Sequence, residues 1–153
     1  MKIIKPYAEI LSGISEGGIK ELQFIEKSAR TCYKSENKIT EDGESAKALI
    51  KQLIKSGHEA MLEHSSLSVK FVVDRGVSHE IVRHRLFSFA QESTRYCNYS
   101  KGKFGSEITV IEPCFWTQDD EKYQVWKRTI EQIEAGYNKL IELGATPQEA
   151  RTV

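Results

Sequence analysis

The sequence has no excess of either charge: Lys and Arg number 22, Asp and Glu number 22, and the net charge is zero. A general nucleic-acid binder carries a basic excess or stripe, so nucleic acid is not expected as a partner. Although 39% of the residues are hydrophobic, no apolar run is long enough to span a bilayer, and no membrane is expected either. The opening Met1-Lys2-Ile3-Ile4-Lys5-Pro6 lacks the apolar h-region of a secretory signal. Cysteine is scarce: Cys32, Cys97 and Cys114 are odd in number, widely spaced and form no Cys-x-x-Cys. A reduced, cytoplasmic protein is the simplest reading. Neither Gly-x-Gly-x-x-Gly nor a P-loop occurs, so any nucleotide must be held mainly by side chains. No repeat, low-complexity segment or linker divides the 153 residues, which suit a single domain with a real hydrophobic core.

Periodicity supplies the elements. Ile19, Leu22, Ile25 and Ala29 recur at helical spacing, and that helix is expected to run out near Lys34. Asn37 to Gly43 is a polar connection. Ala46, Leu49, Ile50, Leu53 and Ile54 form a second helical stripe, with Gly57 placed just past its end. Leu67, Val69, Phe71 and Val73 alternate with Ser68 and Lys70 as a strand does, and Asp74-Arg75-Gly76 reads as a turn. Ser78 is expected to cap a helix carrying Ile81, Val82, Leu86 and Phe89 on one face, with Arg83 and His84 on its flank. Ile108 to Ile111 reads as a short strand. Thr117 opens a long helix through Tyr123, Trp126, Ile130, Ile133, Tyr137 and Leu140 that stops near Gly144. This order predicts an α+β fold, helices packed on a small antiparallel or mixed sheet. Thr146-Pro147-Gln148-Glu149 is a strong helix start with four residues after it, and one turn does not offset its own nucleation cost. Either it packs on a partner surface or the natural chain continues, and continuation is the expectation.

The densest chemistry lies in Arg83-His84-Arg85-Leu86-Phe87-Ser88-Phe89-Ala90-Gln91-Glu92-Ser93-Thr94-Arg95-Tyr96. Guanidinium groups are planar, permanently charged and present a fork of donors that matches phosphate oxygens. Taken alone, Arg83-His84-Arg85 reads most simply as a solvated helix face whose arginines pair with Glu80 and Glu92. Ser93, Thr94 and Arg95 add hydroxyls and a further guanidinium, which turns the segment toward a phosphorylated ligand.

Other clusters carry less. His58-Glu59-Ala60-Met61-Leu62-Glu63-His64 is rich in possible ligands, but its histidines are six apart, the wrong spacing for His-Glu-x-x-His. No metal is expected, and a polar loop whose His58 and Glu63 position a ligand is favoured over a metal-dependent hydrolase. Ser88, Ser93 and Cys97 lie near His84 in sequence without a nucleophile elbow or a familiar Cys/His frame. The aromatics Tyr96, Tyr99 and Phe104 read as core or lid residues rather than stacking platforms.

The fourteen-residue string resembles the signature of the flavin-dependent thymidylate synthases: Arg-His-Arg, seven residues, Ser, then Arg-Tyr. Arg83, His84, Arg85, Ser93, Arg95 and Tyr96 match it. His58 with Glu63-His64 is similar to the histidine-bearing loop that precedes a strand in that family. Ala29-Arg30-Thr31-Cys32-Tyr33 is similar to its early helix end, and Pro147 to Arg151 to an arginine-bearing helix start that runs on into a further segment.

The resemblance implies reductive methylation of dUMP to dTMP, with methylenetetrahydrofolate as carbon donor and FAD, reduced by NADPH, as hydride source. It implies no cysteine nucleophile, so Cys97 is not required. By position, Arg83, His84, Arg85 and Gln91 are expected to contact FAD, with His58, Ala60 and Glu63 lining the flavin site. Gln91, Glu92, Ser93, Thr94 and Arg95 are expected to hold dUMP, joined by Glu80, Arg83 and Arg151, with Arg83 and Ser93 as the catalytic pair. It further implies a homotetramer with sites shared between subunits. Two positions depart from the pattern: Glu80 stands where Gln is common and Gln91 where Glu is common. A non-catalytic nucleotide-phosphate or RNA-binding module using the same arginines is the alternative reading.

Overall fold

The computed structural model describes residues 1–12, 14, 16–100, 102 and 107–153, with no account of the Glu16 side chain; Phe104 lies outside the described residues. Helices dominate, with short strands between them, and the fold is α+β as expected. The backbone gathers into two compact units, Ala8–Lys70 and a second built from Met1–Tyr7 with Phe71–Val153.

The first unit holds most of strand β2 (Tyr7–Ser12) and of its partner β3 (Ser68–Val72), and within it helices α1 (Ile19–Thr31) and α2 (Glu44–Lys55) pack together. Ile25, Ala29, Ala46 and Ile50 form the buried seam, as their spacing predicts, whereas Ile54 is exposed. One charge is buried with them. Glu26 is fully buried, and its carboxylate accepts from Arg30 Nε at 2.7 Å and from Ser45 Oγ at 2.8 Å. Such a group is tolerated inside only because both oxygens are bonded.

Gly43 opens α2 at φ +76°, and a Cβ there would meet Ile19 Cγ2 at 3.2 Å, so backbone conformation and close approach both call for glycine. Asp42 accepts from the Thr40 hydroxyl and from Glu44 N–H, which together hold its carboxyl below the usual carboxylate range.

In the second unit, β1 (Lys2–Ile4) and β4 (Thr109–Ile111) pair in parallel, with Ile3 opposite Val110. The long helix α4 (Glu121–Glu142) buries Tyr123 and Tyr137, and the one-turn helix α5 (Pro147–Ala150) packs on it with Ala150 wholly enclosed. Glu134 of α4 accepts from Ile108 N–H at 2.9 Å and pairs with the Met1 ammonium at 3.0 Å, tying the strand pair to the helix.

Two helix starts differ from expectation. α3 (Arg75–Ile81) begins within the segment read as a turn, because Asp74 caps it by accepting from Val77 N–H at 3.0 Å. Ser78 is inside the helix and donates to the Arg75 carbonyl instead. α4 starts at Glu121 behind an Asp120 cap, while Thr117 only closes the turn before it. Strands β1 and β2 were not signalled. The first has three residues, and the second is exposed along its whole length, so no apolar face alternates.

Candidate functional site

The arginine-rich segment leaves α3 rather than riding on it. Arg83 N–H bonds to the Glu80 carbonyl, His84 N–H to Ile81 and Phe87 N–H to His84, three successive tight turns that end the helix. The apolar face expected for Leu86 and Phe89 is therefore not buried: Leu86 is 99% exposed and Phe89 42%. The His84 ring lies 5.8 Å from that of Phe87 and nearly parallel to it, and Phe87 meets Phe89 edge-on.

Past Phe89 the chain is drawn back to α3 by Gln91, whose amide donates to Ser78 Oγ at 3.1 Å. Ser93 then nucleates a single turn: its hydroxyl accepts from Arg95 N–H, and its carbonyl from Tyr96 and Cys97 N–H. Glu92 accepts from the Tyr99 hydroxyl. Arg151, 57 residues further on, donates to Thr94 Oγ1 at 3.1 Å. That contact depends on α5, whose capping box is complete: Thr146 Oγ1 accepts from Glu149 N–H, and Glu149 accepts from Thr146 N–H at 2.8 Å. Gly144 ends α4 at φ +93°, with Ala145 N–H bonded to the Leu140 carbonyl, and the chain turns directly into α5.

Among the described residues, the side chains of Arg83, Arg85 and Arg95 pair with no carboxylate, and all three are exposed. The expected pairing with Glu80 and Glu92 is absent among them. Three exposed guanidinium groups on one short loop, in no ion pair among the described residues, are suited to an anion.

His58, Ala60 and Glu63 belong to the unit Ala8–Lys70. They lie, exposed, at and within a 3-10 turn, Glu59–His64, packed against α1. His58 is fixed at the end of α2: Gly57 adopts φ +69°, His58 N–H bonds to the Leu53 carbonyl and Gly57 N–H to Ile54. The glycine that signals this stop was visible in the sequence.

No group of three or more His, Cys, Asp or Glu among the described residues is arranged to hold a metal ion. Neither Ser88 nor Cys97 hydrogen-bonds His84 there. An open cavity of about 470 Å³ lined by Trp116, Asp120, Glu121, Lys122, Val125 and Trp126 holds none of the expected site residues. Sequence reading missed the Tyr99–Glu92 and Gln91–Ser78 bonds, since nothing in residue spacing distinguishes a tyrosine that anchors a loop from one in a core.

Fold and loop together describe an α+β protein with a cationic, exposed loop suited to phosphorylated ligands. The family model described as "Thymidylate synthase complementing protein" matches residues 19–153, and the chain belongs to that family. It is similar to the flavin-dependent thymidylate synthase of Corynebacterium aurimucosum, 28% identical over 130 residues that make up 84% of this chain and 50% of the relative. The Mycobacterium leprae enzyme of the same name is 34% identical over 119 residues, 77% of this chain and 44% of that one. This chain thus spans about half the length of the curated relatives it matches. Among solved structures, the UMP/dUMP methylase PolB from Streptomyces cacaoi bound with 5-Br dUMP superposes with a TM-score of 0.69. That match covers 99% of this chain and 68% of the other at 20% identity, a likeness of fold.

Proposed function

We propose that this chain forms the nucleotide- and flavin-binding part of a flavin-dependent thymidylate synthase acting on dUMP. The observation that carries the reading is the loop from Arg83 to Arg95, whose three guanidinium groups are exposed and unpaired among the described residues. A dianionic nucleotide and the pyrophosphate of FAD both need such donors. The family match and the names of the relatives support the same assignment.

Within it, Ser93, Thr94, Arg95 and Arg151 hold the dUMP phosphate, with Gln91, Glu92 and Glu80 at further nucleotide contacts. Arg83, His84, Arg85 and Gln91 bind FAD, and His58, Ala60 and Glu63 line the flavin. The residues fit the cofactor: Arg83 and Arg85 have no competing carboxylate among the described residues, and His58 is held by the end of α2. Bound there, FAD reduced by NADPH would supply the hydride, and methylenetetrahydrofolate the carbon. Arg83 would orient the bound nucleotide for that chemistry, and Ser93 would hold its phosphate end. A homotetramer with shared sites belongs to the same proposal, and exposed Leu86 and Phe87 beside the arginines are compatible with being covered on association. A reducing, cytoplasmic setting belongs to the same proposal, in keeping with three cysteines whose number and spacing suit no disulfide framework.

The test is an absorbance titration of the purified chain with FAD. A saturable shift of the flavin band supports the proposal. Absence of the shift, with RNA binding that falls steeply with salt, would favour the non-catalytic alternative.

A further inference from the structure

Tyr99 has no role in the proposed chemistry, yet it bridges the loop and helix α4. Its hydroxyl donates to Glu92 Oε1 at 2.5 Å. Its own N–H donates to the Tyr137 hydroxyl at 3.3 Å, and the two rings lie 6.1 Å apart. Tyr137 is only 4% exposed, within α4. Burial, then the bond to Glu92, pushes the Tyr99 hydroxyl well above its ordinary range, so it stays a protonated donor at physiological pH.

The loop is thus fastened at two points to one helix. At Glu92 the link runs through Tyr99 to Tyr137 of α4, and at Thr94 it runs through Arg151 to α5, which packs on α4. Ser93 lies between the two fastenings. Engaged by Tyr99, the Glu92 carboxylate keeps one place for its proposed nucleotide contact instead of swinging toward a phosphate dianion held by its neighbours.

We infer that Tyr99 is a positioning residue that holds the Glu92 carboxylate and thereby presets Ser93, Thr94 and Arg95 for a nucleotide phosphate. The inference rests on the proposed dUMP site. Presetting a receptor lowers the ordering cost of binding, so it shows in affinity for the phosphate rather than in fold stability.

The experiment compares wild type and Tyr99→Phe by titration with dUMP, deoxyuridine and FAD, alongside thermal melting. Phe keeps the ring beside Tyr137 and removes only the donor. The expected result is a loss of about tenfold in dUMP affinity, from one hydrogen bond to a charged group. Deoxyuridine affinity and the flavin shift stay at wild-type values, and the melting temperature falls by only the few degrees that one hydrogen bond supports. Tyr137→Phe, cutting the link one step further back, weakens dUMP binding in the same direction. Tyr99→Phe combined with Glu92→Ala loses no more than Glu92→Ala alone, since both act through one bond. Wild-type dUMP affinity in Tyr99→Phe, or equal weakening of dUMP and deoxyuridine, overturns the inference while leaving the proposed function standing. A wild-type chain that binds neither nucleotide overturns the proposed function, and this inference with it.

Discussion

Arg30→Ala should be among the most damaging single substitutions in the unit Ala8–Lys70, though Arg30 touches no expected ligand. Its Nε and Nη2 lie 2.7 Å and 2.6 Å from the same carboxylate oxygen of Glu26, and Glu26 is fully buried between α1 and α2. Without Arg30 the carboxylate keeps, among the described residues, one hydroxyl partner, Ser45, and no counter-charge. Breaking a buried pair in this way costs about 3–5 kcal/mol, because the remaining charge is left in a low-dielectric setting. For a chain of this size that corresponds to a fall of roughly 6–20 °C in melting temperature. The assay is chemical denaturation with a thermal melt of wild type, Arg30→Ala and the double variant Glu26→Met with Arg30→Met. The double should be more stable than Arg30→Ala, since replacing both partners by apolar groups removes the orphaned charge. A loss under about 1 kcal/mol in Arg30→Ala, or a double variant less stable than it, would refute the reasoning.

Two further outcomes follow from helix ends. Asp74→Ala should cost about 1 kcal/mol through loss of the α3 cap, and Ser78→Ala clearly less, measured by denaturation; the reverse order would restore Ser78 as the cap. Glu149 is held below its usual range by Thr146 N–H first and by the Thr146 hydroxyl second. Its folded pKa is depressed, so its contribution is present above the ordinary glutamate value and lost as pH falls through the lowered one. Wild type should lose melting temperature across that acid window by more than Glu149→Gln does, and parallel profiles would contradict the capping box.

Helix cores were legible because burial imposes a period: Ile25, Ala29, Ala46, Ile50, Tyr123 and Tyr137 all came from stripes that the fold buries. Stop signals were legible too, since Gly57 and Gly144 adopt positive φ where the sequence placed them. What failed was choosing between two competing caps, Asp74 against Ser78 and Asp120 against Thr117, where either side chain can accept an N–H and only the backbone path decides. The apolar residues Leu86 and Phe89 misled for a related reason. They keep helical spacing, but the chain has already left the helix at Ile81, so they stand in solvent. The candidate site was legible as a list of residue types, because guanidinium and hydroxyl groups have few other joint uses. Arg151 was grouped with Thr94 through the family resemblance alone, since their contact joins residues 57 apart and depends on how α5 packs, which no local spacing encodes.

The central claim is that the loop from Arg83 to Arg95 receives a nucleotide phosphate, and the most direct measurement is dUMP titration of wild type and Arg95→Ala. Arg95 pairs with no carboxylate among the described residues, so its removal leaves no new buried charge and stability should hold. Losing charge-assisted hydrogen bonds to phosphate predicts affinity lower by about tenfold to about a hundredfold. Equal dUMP affinity in the two proteins would contradict the account.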